Sequence, residues 1–497
     1  MAAAETVTLN SLVGKSLLRH GADGRYDLHE TLRQYAAEKL AADAEIARAV
    51  RETHATYYAQ LLIGLRAGLR AAGQVQALNR VQCELDNARL AWEWLIARRD
   101  GPALAACAES LYQFFNIRSR FLEGAGWLGD AAAALEGMER AEGWLAVLLA
   151  RQGSLLQRAR QHEEALAVLE RSQALLSGMD EPLEMGFCLI GLGGVHLRRK
   201  DFEQALAAAR QAQALFEHGG SPDGLSYALY LQGLIFDRMG EFEVARPLVE
   251  RAVNAARQSG NPRRMIAPLN LLGDIACSQG DYATAERNFV DALEISRQLD
   301  DRFNLGILVN NLATAYHLTG RYELAEGAYR ESLLICREQG DQDGEALALN
   351  NLGELAVARG KYAEAESLSL QALAIAEELG EEWTIIVCLY NLGEAASAAG
   401  AHARALERYR RGAALALEVS AVDQAARIAV NAAHSLWLNG ERAAAEALWQ
   451  AALAHPAIEQ AEREKALGWL AELGGTPPEA EDEALLEAAL RRWLEES

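Results

Sequence analysis

Seven asparagines recur at an interval of forty residues in two adjacent registers: Asn270, Asn310 and Asn350, and one position on Asn311, Asn351, Asn391 and Asn431. A carboxamide carries a donor and an acceptor together, which suits the alternating N–H and C=O groups of an extended peptide backbone. Arg158, Arg198 and Arg238 keep the same interval, and Asp274, Glu354 and Glu394 share another register further along the chain. Guanidinium groups toward one end and carboxylates toward the other would fix the direction of a charged ligand. The same groups have a plainer use, since amides stitch neighbouring helices together and charges are simply solvated. Other chemistry is poorly provided for. Gly14-Lys15-Ser16 ends like a phosphate-binding loop, but the glycine needed five residues earlier is Leu9, and no magnesium ligand accompanies it. His29-Glu30 fails as a zinc pair because Arg33 stands where a second histidine would follow one helical turn later. The six cysteines, Cys83, Cys107, Cys188, Cys277, Cys336 and Cys388, form no closely spaced pair and read as reduced, buried thiols. With no convergent nucleophile and base, the expectation is a chain that is not an enzyme and takes neither cofactor nor metal.

These groups sit on a chain of 497 residues whose 48 Lys and Arg face 70 Asp and Glu, a net charge of −22. So acidic a surface repels phosphate on average, which makes nucleic acid a poor partner. No apolar run reaches the length of a membrane span and the first residues lack a signal-peptide pattern, so a cytoplasmic location is expected. Nine prolines and an abundance of Ala, Leu and Glu favour helix throughout.

The element that must position the asparagines is a repeat. A small anchor returns as Gly153, Gly193, Gly233, Gly273, Ala313, Gly353, Gly393 and Ala433, and twelve residues after each comes an alanine, from Ala165 to Ala445. Seven after the anchor stands a turn residue, Gly240, Gly280, Gly320, Gly360, Gly400 and Gly440 in six units but Arg160 and Lys200 in the first two. Glycine there accepts the left-handed backbone that ends a helix, and the small positions let paired helices approach closely. Each unit therefore reads as helix, tight turn, helix, and a degenerate unit at Gln113, Arg120 and Ala125 precedes the eight. The fold class expected is all-α, a right-handed solenoid of αα-hairpins.

This pattern resembles the tetratricopeptide repeat in its forty-residue form, as in bacterial regulators and kinesin light chains, over about residues 146–460, and the degenerate unit extends the array back to Ala106. Before it, Leu12-Val-Gly-Lys-Ser-Leu-Leu18 and Leu28-His-Glu-Thr-Leu-Arg-Gln-Tyr-Ala36 resemble the end of the winged-helix domain of NB-ARC-type STAND ATPases, with Gly21-Ala-Asp-Gly24 as the turn of a wing-like hairpin. The segment containing Glu84-Leu-Asp-Asn-Ala-Arg-Leu90, Trp92, Trp94 and Phe114-Phe-Asn-Ile-Arg118 is similar to the helical spacer of the bacterial members. The organisation expected is a partial winged helix over 1–48, a spacer over 49–105, the repeat array over 106–460 and capping helices over 461–497, Glu479 to Ser497 forming an amphipathic helix that shields the last repeat.

In that resemblance His29 aligns with the histidine of the Met-His-Asp motif, which senses ADP phosphate in relatives; here the triplet is Leu28-His29-Glu30 and the contact needs an upstream NB-ARC domain. Without one, His29 is a helix-start residue packing against the hairpin. The function implied is a ligand sensor that binds a protein or extended peptide in the repeat groove and restrains a nucleotide switch. A standalone repeat scaffold, and the small-molecule-sensing part of a transcription regulator, are the alternatives. An incomplete winged helix and the acidic charge speak against DNA.

Overall fold

The computed structural model describes residues 6–21, 26–71, 73–456, 458, 460–472, 474, 476–478 and 482–495. The expected turn at Gly21–Gly24 lies largely outside the described residues, as do 479–481 and 496–497 of the terminal segment.

The chain opens with α1 (Thr6–Gly14), a two-stranded antiparallel hairpin of β1 (Arg19–His20) and β2 (Tyr26–Asp27), α2 (Glu30–Ala41) and α3 (Ala44–Leu65). Arg19 pairs with Asp27 and His20 with Tyr26. Among the described residues this ladder is the only sheet, and everything after it is helical. Lys15 and Ser16 follow the end of a helix, with Ser16 at a φ of 61°, so Gly14-Lys15-Ser16 is a helix terminus rather than a strand-to-helix phosphate loop.

Next come α4 (Gln74–Cys83), α5 (Leu85–Ala97), α6 (Gly101–Ile117) and α7 (Phe121–Leu135). The regular hairpins follow as first and second helices: α8 (Glu142–Arg158) with α9 (His162–Leu176), α10 (Pro182–Arg198) with α11 (Phe202–His218), and α12 (Pro222–Arg238) with α13 (Phe242–Ser259). The series continues with α14 (Ile266–Ser278), α15 (Tyr282–Gln298), α16 (Arg302–Leu318), α17 (Tyr322–Gln339), α18 (Gln342–Ala358), α19 (Tyr362–Leu379), α20 (Glu382–Ala398), α21 (His402–Glu418), α22 (Val422–Leu438) and α23 (Arg442–Ala454), then α24 (Gln460–Glu472) and α25 (Glu483–Glu495). None of these helices is long and apolar enough to cross a membrane.

Local chemistry explains the boundaries. The turn positions carry positive φ as the spacing predicts, from 72° at Gly360 to 94° at Gly440, with Arg160 at 64° and Lys200 at 61°. In the degenerate unit the positive φ falls on Ser119 rather than Arg120, so its turn comes one residue early. Twenty residues out of phase a second set of left-handed residues, Gly220, Gly260, Asp300, Gly340, Gly380 and Ser420, ends the second helices. Helix starts are capped by Asp201, Asp301 and Asp341, whose carboxylates accept the amides of Gln204, Asn304 and Gly344 at 3.2, 3.3 and 3.2 Å.

The chain divides into two compact units, Met1–Ile275 with Gln298–Asp300 and Ala276–Arg297 with Asp301–Ser497. In the first, Leu104, Leu111, Phe114, Leu128, Leu169, Val195 and Phe216 belong to one continuous core running from α6 and α7 into the hairpins that follow. In the second, Ile386, Tyr409, Ile428, Leu448 and Trp449 form a core against which α25 lays Leu486, Leu490 and Trp493. Ala165, Ala205, Ala245, Ala285, Ala325, Ala365, Ala405 and Ala445 are all fully buried. A Cβ added at Gly153 would stand 2.5 Å from Leu169 Cγ, and one at Gly353 2.5 Å from Ser369 Oγ, which is why the anchor stays small. Cys107, Cys188, Cys336 and Cys388 are buried thiols, but Cys83 is exposed and Cys277 half-buried, a correction to the expectation that all six are interior.

Candidate functional site

On each first helix the residues six before, two before, one after and five after the anchor follow at steps of four and three, so they share one face. In the second unit this face carries the asparagines, and the structure corrects how they stand. Asn351 Nδ2 donates to Asn310 Oδ1 at 3.0 Å, and Asn391 Nδ2 donates to Asn350 Oδ1 at 2.9 Å. The amide two before one anchor thus meets the amide three before the preceding anchor, which accounts for the doubled asparagines at 310–311 and 350–351. Asn431 Nδ2 donates to the Arg427 carbonyl and to Glu462 Oε2, both at 3.0 Å. Asn310, Asn350, Asn391 and Asn431 are buried, while Asn311 and Asn351 are half-buried. The expected open row is therefore in large part a ladder between successive first helices, because a buried amide must find a partner and the next helix supplies it. Replacing Asn391 by Ala leaves Asn350 Oδ1 buried without its donor and is expected to cost about 1–3 kcal/mol in urea unfolding. A loss within experimental error would show that the ladder contributes nothing.

Glu354 and Glu394 project from the same face of α18 and α20, and Arg427 of α22 lies close to both. Burial pushes the Glu394 carboxyl above its usual range against the pull of Tyr390, Arg427 and Lys465, and Glu354 adds to the rise. The Arg427 guanidinium stacks 4.1 Å from the centre of the Tyr390 ring and stands 4.0 Å from Glu462 Oε1, which Lys465 also contacts at 2.8 Å. On the same face of α16 and α18, Ile307 and Leu347 are 38% and 41% exposed, each six residues before its anchor. The sequence reading missed this register, although its apolar residues recur every forty positions.

In the first unit Asn270 Nδ2 donates to Asp274 Oδ2 at 3.1 Å within α14. Burial, and then the charge of Asp237, push the Asp274 carboxyl up to about 7 despite the opposing charge of Arg238. Arg158, Arg198 and Arg238 end α8, α10 and α12, and their charges meet: the field at Arg198 includes Arg160, Arg238 and Arg158. Deeper in the unit lies a charged network that sequence reasoning did not find. Arg151 Nε and Nη2 each donate to Glu109 Oε2 at 3.0 Å, and Nη2 also donates to Glu184 Oε1 at 3.1 Å. Glu109 Oε1 accepts from Gln113 Nε2 at 2.8 Å and from the Arg70 guanidinium. Burial alone would raise the Glu109 carboxyl; Arg151 and Arg70 overcome it and hold the group at about 2. The available signal was Arg151 itself, which occupies the register used by asparagine in later repeats. Next to this network Arg264 clasps Asp223 at 3.1 and 3.2 Å, with its guanidinium 4.5 Å from the Tyr227 ring centre.

His29 is an exposed residue immediately before α2 and makes no side-chain cap. Among the described residues no group of three or more His, Cys, Asp and Glu side chains could hold a metal ion.

The tetratricopeptide-repeat family model matches residues 187–258, 264–338 and 344–418. The apo form of the quorum sensor NprR from B. thuringiensis is similar in structure at 13% identity and a TM-score of 0.50, over 73% of this chain and 98% of that one. A Rap protein complexed with competence and sporulation factor aligns at 14% identity and 0.49, over 69% and 100%. A STAND protein with a tetratricopeptide repeat sensor, from Pyrococcus horikoshii, aligns at 13% and 0.46, over 95% of this chain and 60% of that one. No curated protein sequence matches the chain. The family match and the forty-residue hairpin geometry together show that this chain carries tetratricopeptide repeats.

Proposed function

We propose that the chain is a non-enzymatic ligand-sensing module that binds an extended peptide or protein segment along the shared face of its first helices. The observation that carries this reading is the juxtaposition in the second unit of exposed Ile307 and Leu347 with the half-buried amides of Asn311 and Asn351 and the carboxylate of Glu354, all on one repeated face. One exposed apolar residue is ordinary, but the same offset left apolar in successive repeats, beside polar groups, is a surface suited to side chains and backbone of an extended chain. Asn270, Asn310, Asn350, Asn391 and Asn431 act in this reading chiefly by holding the helices that present the face.

The helix–hairpin–helix order of the first residues and the helical spacer support a wider reading, in which 1–48 is the end of a winged-helix domain and the chain is the sensor part of an NB-ARC-type STAND regulator. An upstream nucleotide-binding domain is then its partner, His29 faces that domain's nucleotide, and ligand binding releases the restraint on the switch. Such a switch requires different ligand affinities in the closed and open states.

Selection of a displayed random-peptide library on the full chain tests the binding reading, with counter-selection on an Ile307→Glu/Leu347→Glu variant. Peptides that bind the parent chain are expected to lose about tenfold or more in affinity on the variant, since two buried apolar contacts are replaced by desolvated charges. Failure to enrich any peptide that prefers the parent chain would sink the proposal.

A further inference from the structure

The last repeat breaks the pattern of its ligand-facing register. Six before its anchor stands Arg427, at an offset that is apolar or aromatic in the seven units before it, as in Ile307, Leu347 and Val387. Two before stands Asn431, for which the ladder position three before the preceding anchor holds Tyr390 rather than asparagine, and one after stands His434. All three meet α24. Asn431 Nδ2 donates to Glu462 Oε2 at 3.0 Å, and Arg427 Nε stands 4.0 Å from Glu462 Oε1. The His434 ring stacks on Trp469, with ring centres 4.0 Å apart and planes inclined by 16°. Glu462, Ala466 and Trp469 follow at steps of four and three, as Arg427, Asn431 and His434 do, so one face of α24 runs along that face of α22. Glu462 is a carboxylate only 4% exposed, and Ala466, one turn on, is fully buried.

A helix that only shields the end of a solenoid needs an apolar inner face and a polar outer one. Leu486, Leu490 and Trp493 of α25 supply such a face. The inner face of α24 instead buries a carboxylate against an arginine and an amide, an arrangement that adds less stability than apolar packing of the same size but selects its partner. The fit is also incomplete, since Arg427 Nε and His434 Nδ1 are buried without a hydrogen bond among the described residues. A ligand that satisfied them would have the advantage over α24. We infer that α24 is a self-ligand: an autoinhibitory helix that closes the C-terminal end of the ligand-facing surface. The segment that displaces it offers a carboxylate to Arg427 and Asn431 and an aromatic ring to His434. Along α24 those two groups are separated by about 10 Å, which is seven residues of helix or three of extended chain. Tethered at both ends, α24 competes at an effective concentration of about millimolar, so an external segment must bind more tightly or gain contacts further along the face, at Leu347 and Ile307.

The inference rests on the peptide-binding reading and adds how the face is closed. Its test titrates a fluorescently labelled peptide reproducing residues 460–472 with the full chain, as parent and as a Glu462→Gln/Trp469→Ala variant, with Glu462→Gln alone as a milder form. Anisotropy is expected to show the double variant binding the peptide about tenfold or more tightly than the parent, because its own helix no longer competes, and the single variant falling between them. Adding Arg427→Gln to the double variant should cancel the gain. Hydrogen exchange should show 460–472 losing protection in the double variant while α20, α21 and α22 keep theirs. Three results overturn the inference: equal binding by parent and double variant, a gain that survives Arg427→Gln, or lost protection extending into α20–α22, which makes α24 a structural cap. Library peptides whose binding depends on Ile307 and Leu347 would leave the binding reading standing when any of these removes this one.

Discussion

Replacing Arg151 by Met is expected to destabilise the first unit by about 3–5 kcal/mol, the range for removing one partner of a buried ion pair. Arg151 and Glu109 are each 4% exposed, and the substitution leaves Glu109 with Arg70 and Gln113 alone while Glu184 loses its partner. The loss depends on pH in a definite direction. The Glu109 carboxyl titrates at about 2 in the folded chain against an ordinary 4.5, so its contribution is complete above that ordinary value and disappears as the pH falls through about 2. A shift of that size is worth on the order of 3 kcal/mol. Removing Arg151 raises the carboxyl, so the variant's stability should fall less steeply between pH 4.5 and 2 than the parent's. Replacing both partners, Glu109→Gln with Arg151→Met, is expected to recover much of the loss because no uncompensated charge is left buried. Urea unfolding at neutral and acid pH, with hydrogen exchange in α6 and α8 to locate the effect, decides the matter. Equal stability of parent and single variant would show that the network is solvated in solution.

The second large effect concerns the positions twelve after the anchor. Ala325 and Ala365 are fully buried where the helices of a hairpin approach, so each change to Leu forces the pair apart and is expected to cost about 1–3 kcal/mol. The two sites are in successive hairpins, and a double variant should lose approximately the sum if the hairpins relax independently. Thermal unfolding followed by far-ultraviolet circular dichroism is sufficient to measure it. An unchanged midpoint in both single variants would mean that these positions do not set the hairpin contact.

Much of this architecture is legible in the residues because it is made by local rules. A turn at Gly240 or Gly400 requires only a left-handed backbone a fixed distance from a small anchor, and the same requirement recurs every forty residues. Gly220, Gly260, Gly340 and Gly380 carried an equally local signal, the turns between hairpins, in a register that anchor counting alone passes over. The register of the asparagines was also plain, as was the face on which the arginines at 158, 198 and 238 stand, since helical spacing assigns both.

What the asparagines do was decided by the stacking of one hairpin on the next. Asn391 finds Asn350, forty-one residues back, only because two first helices lie side by side in a particular register, and nothing in the sequence near either residue distinguishes an amide paired to its neighbour from one held open for a ligand. Arg151 is the sharper case. Its spacing matches the asparagine series, but its partners Glu109 and Glu184 come from the helices before and after it, and whether a guanidinium is buried, paired or free depends on charges brought together through space. Periodicity and backbone preference act over a few residues and can be read along the chain; desolvation and Coulomb pairing act between whichever groups the packed helices bring together, and only the tertiary structure names those groups.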